Sequence, residues 1–203
     1  MYRTFRFILA LAMTAGLPAG SAASADSTAA ATPATTQGSH EAAAREYFTD
    51  LELMNQNGEA VRFYTDVLKD RVVLINFVYT HCQDACPLIT RKLRTARDML
   101  DEAVSARVYF ISISIDPEHD TPAALQEFAT KFNVAVDNWV FLTGDKDKVN
   151  HIVKKLGQFT PDVEEHSTLL LAGNVKDRHW VKIPPTVPPV GIAEKLRLLA
   201  EGG

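Results

Sequence analysis

The sequence predicts an α/β fold on a mainly parallel central sheet, with a β-hairpin at its N-terminal end, an antiparallel hairpin at its C-terminal end and helices on both faces. Three observations carry this. The run Val72 to Tyr79 is almost entirely apolar, β-branched or aromatic, as a central strand covered on both sides is. It and the later strand-like runs are separated by segments whose apolar residues recur at helical spacing. Two short strand-like runs, Thr168 to Leu171 and His179 to Ile183, then follow one another without an intervening helix.

The elements follow in order. Leu51, Leu53, Val61 and Phe63 alternate with polar residues on either side of Asn55-Gln56-Asn57-Gly58, whose Asn-Gly step suits a tight turn. After the Val72 strand, Ile89, Leu93, Ala96 and Leu100 form one helix face, with Arg91, Lys92, Arg94, Asp98 and Asp101 opposite. Val108 to Ile115 reads as a strand. Thr121 then caps a helix with Pro122 at its first position, and Leu125, Phe128, Ala129 and Phe132 form its buried face. Trp139 to Leu142 is a strand, Val149, Ile152, Val153 and Leu156 share a helix face, and Gly157 ends that helix. Ile192, Leu196 and Leu199 mark a final helix after Pro188-Pro189. A β-α-β unit followed by a β-β-α unit is the thioredoxin-like arrangement, and ligands of such sheets sit beyond the carboxyl ends of the strands.

The first residues have a different character. Met1 to Arg6 is short and basic, Phe7 to Leu17 is apolar, and Pro18 to Ala25 is rich in small residues, so 1–25 is expected to be a secretory signal cut after Ala23-Ser24-Ala25. A membrane span needs roughly 20 apolar residues, and Gly16, Pro18 and Gly20 interrupt this run; an uncleaved anchor is the alternative. No cysteine follows the apolar run until Cys82, so N-terminal lipidation is not expected. Residues 26–44, rich in Ala, Ser, Thr and Pro, are expected to form a flexible linker, leaving 45–203 as one domain of an exported, periplasmic protein. With 21 Lys and Arg against 25 Asp and Glu, and Arg3 and Arg6 lost with the leader, the surface is acidic. Nucleic-acid binding, which needs a basic surface, is excluded.

The two cysteines of the chain, Cys82 and Cys86, stand directly after the Val72 strand, and Pro87 suits the first turn of a helix. Cys86 is therefore expected at the N-cap, where unpaired amides and the helix dipole favour thiolate. A structural disulfide is the commonest fate of paired cysteines in an exported protein, but a bridge closing so short a loop removes only about 2 kcal/mol of unfolded-state entropy. Reversible disulfide chemistry or metal binding at Cys82 and Cys86 is the stronger reading. His166 adds a third group. It lies just before the Thr168 strand, where a thioredoxin-type exchanger would carry a cis-proline, and the nearest proline is Pro161. Two thiolates and one imidazole suit three-coordinate Cu(I), and the same donors hold Cu(II) with a further weak ligand, whereas structural zinc usually takes four protein ligands. His40, His119, His151 and His179 are read as surface or hydrogen-bonded residues, and Asp116 and Asp120 as turn and cap residues, with an outer role at the metal as the alternative. The basic helix residues Arg91, Lys92, Arg94 and Arg97 are read as a solvated face.

The segments Tyr79-Thr80-His81-Cys82-Gln83-Asp84-Ala85-Cys86-Pro87, Ser114-Ile115-Asp116-Pro117-Glu118-His119-Asp120-Thr121-Pro122 and Glu165-His166-Ser167 together resemble the Sco/SenC family of thioredoxin-like copper proteins, over about Phe48 to Ala200. The resemblance implies a chaperone that delivers one copper per chain to the dinuclear copper centre of cytochrome c oxidase subunit II, with Cys82, Cys86 and His166 matching the copper ligands. It also implies an upstream copper donor and a thiol reductant. Gln83 and Glu165 stand where the family commonly has proline and aspartate, and Ala172-Gly173-Asn174 replaces a usual Asp-Pro turn; no ligand is lost. The competing reading is a thiol-disulfide reductase acting on the cysteines of that same copper site. A peroxidase of related fold ranks below both, since its usual Thr-x-x-Cys is here Thr80-x-Cys82.

Overall fold

The computed structural model describes residues 33–202; the expected signal, its cleavage site and the first part of the expected linker lie outside them. Helix α1 (Pro33–Phe48) leads into the hairpin β1 (Glu52–Asn55) and β2 (Ala60–Arg62), and a π-helical segment, Phe63–Leu68, joins it to β3 (Val72–Val78). There follow α2 (Ala85–Asp98), the short α3 (Glu102–Ser105), β4 (Val108–Ser114), α4 (Pro122–Lys131), β5 (Trp139–Thr143) and α5 (Lys146–Lys155). The chain closes with β6 (Leu170–Asn174), β7 (His179–Ile183) and α6 (Pro189–Glu201).

One seven-stranded sheet runs β2-β1-β5-β4-β3-β6-β7. Parallel pairing is confined to β3, β4 and β5; the hairpin β1–β2 joins β5 antiparallel on one side and β6–β7 joins β3 antiparallel on the other, so the sheet is mixed. The alternation along each strand sorts the core into two layers. Val72, Leu74 and Val78 of β3 face Leu93 of α2, Leu125 of α4 and Leu196 of α6, whereas Val73, Ile75 and Phe77 face Phe48 of α1 and Ile152 of α5.

Local chemistry explains the boundaries. Asn55 Oδ1 accepts from the amides of Asn57 and Glu59 at 2.9 and 3.0 Å, and Gly58 takes φ +80, so the first hairpin turns where the Asn-Gly step places it. The Thr121 hydroxyl accepts from the Ala124 amide at 3.2 Å and Pro122 opens α4. Gly157, at φ +68, ends α5.

Two expectations differ from the structure. Helix α1 begins at Pro33, inside the stretch 26–44 expected to be linker, because its Ala-rich sequence favours a helix and its last turn has something to cover: Phe48 is buried against Trp180, with ring centroids 5.2 Å apart. Strand β6 extends to Asn174, so Ala172-Gly173-Asn174 is strand rather than turn. The reversal is made after it, by Asn174 Oδ1, which accepts from the Lys176 amide at 2.9 Å.

Candidate metal centre

The site lies beyond the carboxyl end of β3. From Val78 the chain leaves the sheet through Tyr79-Thr80-His81, and the Cys82 amide donates back to the Tyr79 carbonyl at 3.2 Å, which closes a tight turn. Helix α2 begins at Ala85 with Asp84 at the N-cap, so Cys86 sits within the first turn rather than at the cap as expected from Pro87. The reason is visible in the hydrogen bonds. Asp84 offers no side-chain cap, and the Cys86 amide, one of the helix's orphan donors, is satisfied by Cys82 Sγ at 3.3 Å. The sulfur of one cysteine thus caps the helix that carries the other.

Both cysteines are free and buried, Cys82 at 8% exposure and Cys86 at 1%. Their proton affinities diverge. Burial resists ionisation of Cys82, but hydrogen bonds from the Cys86 thiol, the Cys86 and Asp84 amides and the Tyr79 hydroxyl outweigh it and hold the Cys82 thiol below its ordinary value. Cys86 is pushed up to about 12, first by burial and then by its hydrogen bond to Cys82. Tyr79 also rises to about 12, by burial and by its hydrogen bond to Cys82. Cys82 is therefore the more acidic thiol of the pair, and Cys86 holds its proton more tightly.

Asp120 fixes the loop from beneath. Its Oδ1 accepts from the Thr80 amide at 3.0 Å and from the Thr80 hydroxyl at 2.6 Å, and its Oδ2 accepts from the Ser114 hydroxyl at 2.6 Å. Fully buried, it ties the exit of β3 to the exit of β4. Asp116 is a turn residue: its carbonyl accepts from the amides of His119 and Asp120 at 3.1 and 2.9 Å, and its carboxylate holds His119 Nδ1 at 2.8 Å.

His166 stands on the segment before β6. Its Nδ1 lies 2.8 Å from the Val163 carbonyl, which can only accept, so Nδ1 carries the proton and Nε2 keeps its lone pair. That Nε2 is buried and has no hydrogen-bond partner. Tyr79 is the neighbour common to all three groups: its hydroxyl bonds Cys82, and its ring meets the His166 ring edge-on with centroids 5.5 Å apart. Among the described residues no three histidine, cysteine, aspartate or glutamate side chains converge closely enough to hold a metal ion. The structure thus brings Cys82 and Cys86 into contact and places His166 against their shared neighbour, with its free nitrogen buried.

Sequence reasoning gave no role to Tyr79 and read Asp120 as a turn or cap residue. A hydroxylated aromatic three residues before the first thiol was the available signal for Tyr79. For Asp120, nothing in the spacing reveals that it reaches across to Thr80.

A mixed sheet with two free, contacting thiols beyond β3 and an imidazole before β6 is a thioredoxin-like arrangement. Residues 39–197 match the family model SCO1/SenC, and the chain belongs to that family. It is 39% identical to the SCO1 protein homolog of Bacillus subtilis over 90 residues, which are 44% of this chain and 45% of that one. The chain spans about half the length of the curated relatives it matches. Among solved structures it resembles Bradyrhizobium japonicum ScoI with copper bound, at 28% identity and a TM-score of 0.57, over 73% of this chain and 96% of that one. It also matches BsSco, a member of the Sco family of cytochrome c oxidase assembly proteins, with a TM-score of 0.62 over 76% of this chain and 93% of that one; at 24% identity this speaks to the fold alone.

Proposed function

We propose that this protein is a copper metallochaperone, binding one copper through Cys82, Cys86 and His166 and delivering it to the dinuclear copper centre of cytochrome c oxidase subunit II. The observation that carries the reading is His166 Nε2, buried without a partner on a ring packed against Tyr79, whose hydroxyl bonds Cys82, one of two free thiols. An unsatisfied buried acceptor costs about 1–3 kcal/mol, and a soft cation accepting that lone pair relieves the cost. The likeness to Bradyrhizobium japonicum ScoI with copper bound supports the choice of metal.

The residues present divide the work. Cys82 meets the cation first, since its thiolate is already stabilised. Cys86 has to surrender its proton, so loading is coupled to proton release. His166 completes the set once Tyr79 gives up its bond to Cys82, and the Val163 carbonyl keeps the ring in the tautomer that presents Nε2. Asp120 keeps the loop in place while these groups move. Export to the periplasm, with 1–25 removed, is part of the proposal; among the described residues no helix is long and apolar enough to cross a membrane. The deciding experiment is copper titration of the reduced protein beside His166→Ala. Loss of affinity and an altered Cu(II)-thiolate absorption are expected, and an unchanged titration removes His166 from the ligand set.

The proton asymmetry of the thiols favours a second reading, a thiol-disulfide reductase. Cys82 thiolate would attack a disulfide of the partner to form a mixed disulfide. Cys86, after losing its proton, would then attack Cys82 Sγ, leaving a Cys82–Cys86 disulfide and a reduced partner. This route does not use His166. Rescue of oxidase activity by His166→Ala in a deletion strain at limiting copper would favour the reductase over the carrier.

A further inference from the structure

On the sheet face opposite the thiols, a cavity of about 520 Å³ opens between α1, the end of α5 and the β6–β7 hairpin. Its volume is within the ~300–1,000 Å³ usual for small-molecule pockets. Strand β7 is an edge of the sheet, and the cavity is the gap left where α1 does not cover it. The walls are apolar: Phe48, Leu156, Leu171, Val175, Trp180 and Val181. The polar groups that complete the lining are cationic or neutral, among them Lys155, Arg178 and Lys182, and no carboxylate contributes.

Charge makes the cavity selective. None of the described carboxylates forms an ion pair with Lys155, Arg178 or Lys182. Glu41 of α1, which shares an adjoining recess with Asp70 and Arg178, is engaged by Lys69. Lys155 instead lies over the Tyr47 ring, 5.6 Å from its centroid. Three cations with no ion pair among the described residues, set around an apolar hollow, call for a ligand with an apolar body and an anionic head.

We infer that this cavity binds a single-chain anionic amphiphile, a long-chain carboxylate, with its alkyl chain against Trp180 and Phe48 and its head between Arg178, Lys182 and Lys155. The site does not depend on the copper reading. Cys82 and Cys86 belong to the other core layer, and the sheet stands between the two.

Trp180 supplies the readout. The other tryptophan, Trp139, is 1% exposed and stacked on Phe110 in the opposite layer, so a fluorescence change on titration reports the cavity. Hexadecanoate, added below its micellar concentration to the folded protein, is expected to change the emission saturably at one equivalent, and Trp180→Phe to abolish the change. Hexadecanol, which lacks the charge, should bind about tenfold more weakly or worse, and the surface double variant Arg178→Glu, Lys182→Glu should lose affinity for hexadecanoate to a similar degree. Absence of a saturable response, equal affinity for the alcohol, or indifference to the charge reversal would each overturn the inference. Binding to anionic phospholipid vesicles without uptake of the free acid would overturn it too, since that describes a membrane-facing surface.

Discussion

Cys82 and Cys86 share one loop and one helix start yet hold their protons with very different strength: burial and the bond to Cys82 raise Cys86, while at Cys82 burial is outweighed by that same bond, the amides of Cys86 and Asp84, and Tyr79, which lower it. Tyr79→Phe removes one donor from the Cys82 thiolate and leaves the ring against His166. The rate of Cys82 alkylation at neutral pH should fall and its pH midpoint should move upward, a change read by following iodoacetamide labelling across pH; an unmoved midpoint would exclude Tyr79 from the pair. Asp120 acts through Thr80. Asp120→Ala strands the Thr80 amide and two hydroxyls in a buried place and should destabilise the fold by about 3 kcal/mol in urea unfolding, whereas Asp120→Asn, which keeps the Oδ1 acceptor, should lose less. On the proposed copper reading, His166→Ala should lower copper affinity at least about tenfold while leaving both thiols open to alkylation, since one of three donors has gone and the thiols have not.

At the level of elements, the β6–β7 hairpin shows why small residues appear where a turn was expected. Gly173 pairs with Trp180, and a Cβ built on it would lie 2.3 Å from Trp180 Cδ2. Strand β6 needs glycine there so that the indole can lie across it. Gly173→Ala should destabilise the protein by about 1–3 kcal/mol through overpacking, and a companion Trp180→Leu change should recover part of the loss. Thermal unfolding of the two single variants and the double variant tests this; additivity would show that the two residues do not compete for one space.

For the whole molecule, pH and redox state set what can be loaded. Asp66 is held down at about 2 by hydrogen bonds from Arg62. An unfolded aspartate titrates near 3.9, so the stability contributed by a depressed carboxylate is complete above about pH 4 and is lost as the pH falls through about 2. The melting temperature should therefore drop over that window, and Asp66→Asn should flatten the drop. On the proposed ligand set, copper and a disulfide would compete for the same sulfurs. Protein oxidised to a Cys82–Cys86 disulfide should take up little copper until a reductant is added, as measured by metal content after desalting, and equal loading of oxidised and reduced protein would take both thiolates out of the ligand set.

The sequence by itself determined the strand and helix order from β1 to α6 except the π-helical segment Phe63–Leu68 and the short α3, the hairpin at Asn55 to Gly58, the caps at Thr121 and Gly157, and the place of the thiols beyond β3. Each of these follows from short-range causes: periodicity, a side chain that reaches its own backbone, or a glycine that accepts positive φ. Family resemblance and topology together singled out His166. What only the tertiary structure decided are the effects that act across the chain. Helix α1 is ordered because Phe48 finds Trp180, far along the sequence. Helix α2 starts before Pro87 because Cys82 Sγ supplies the acceptor that Asp84 does not, and Cys82 is the more acidic thiol because Cys86, the amides at the helix start and Tyr79 donate to it. Asp120 reaches Thr80 because parallel pairing sets the ends of β3 and β4 side by side, a juxtaposition that no local spacing encodes.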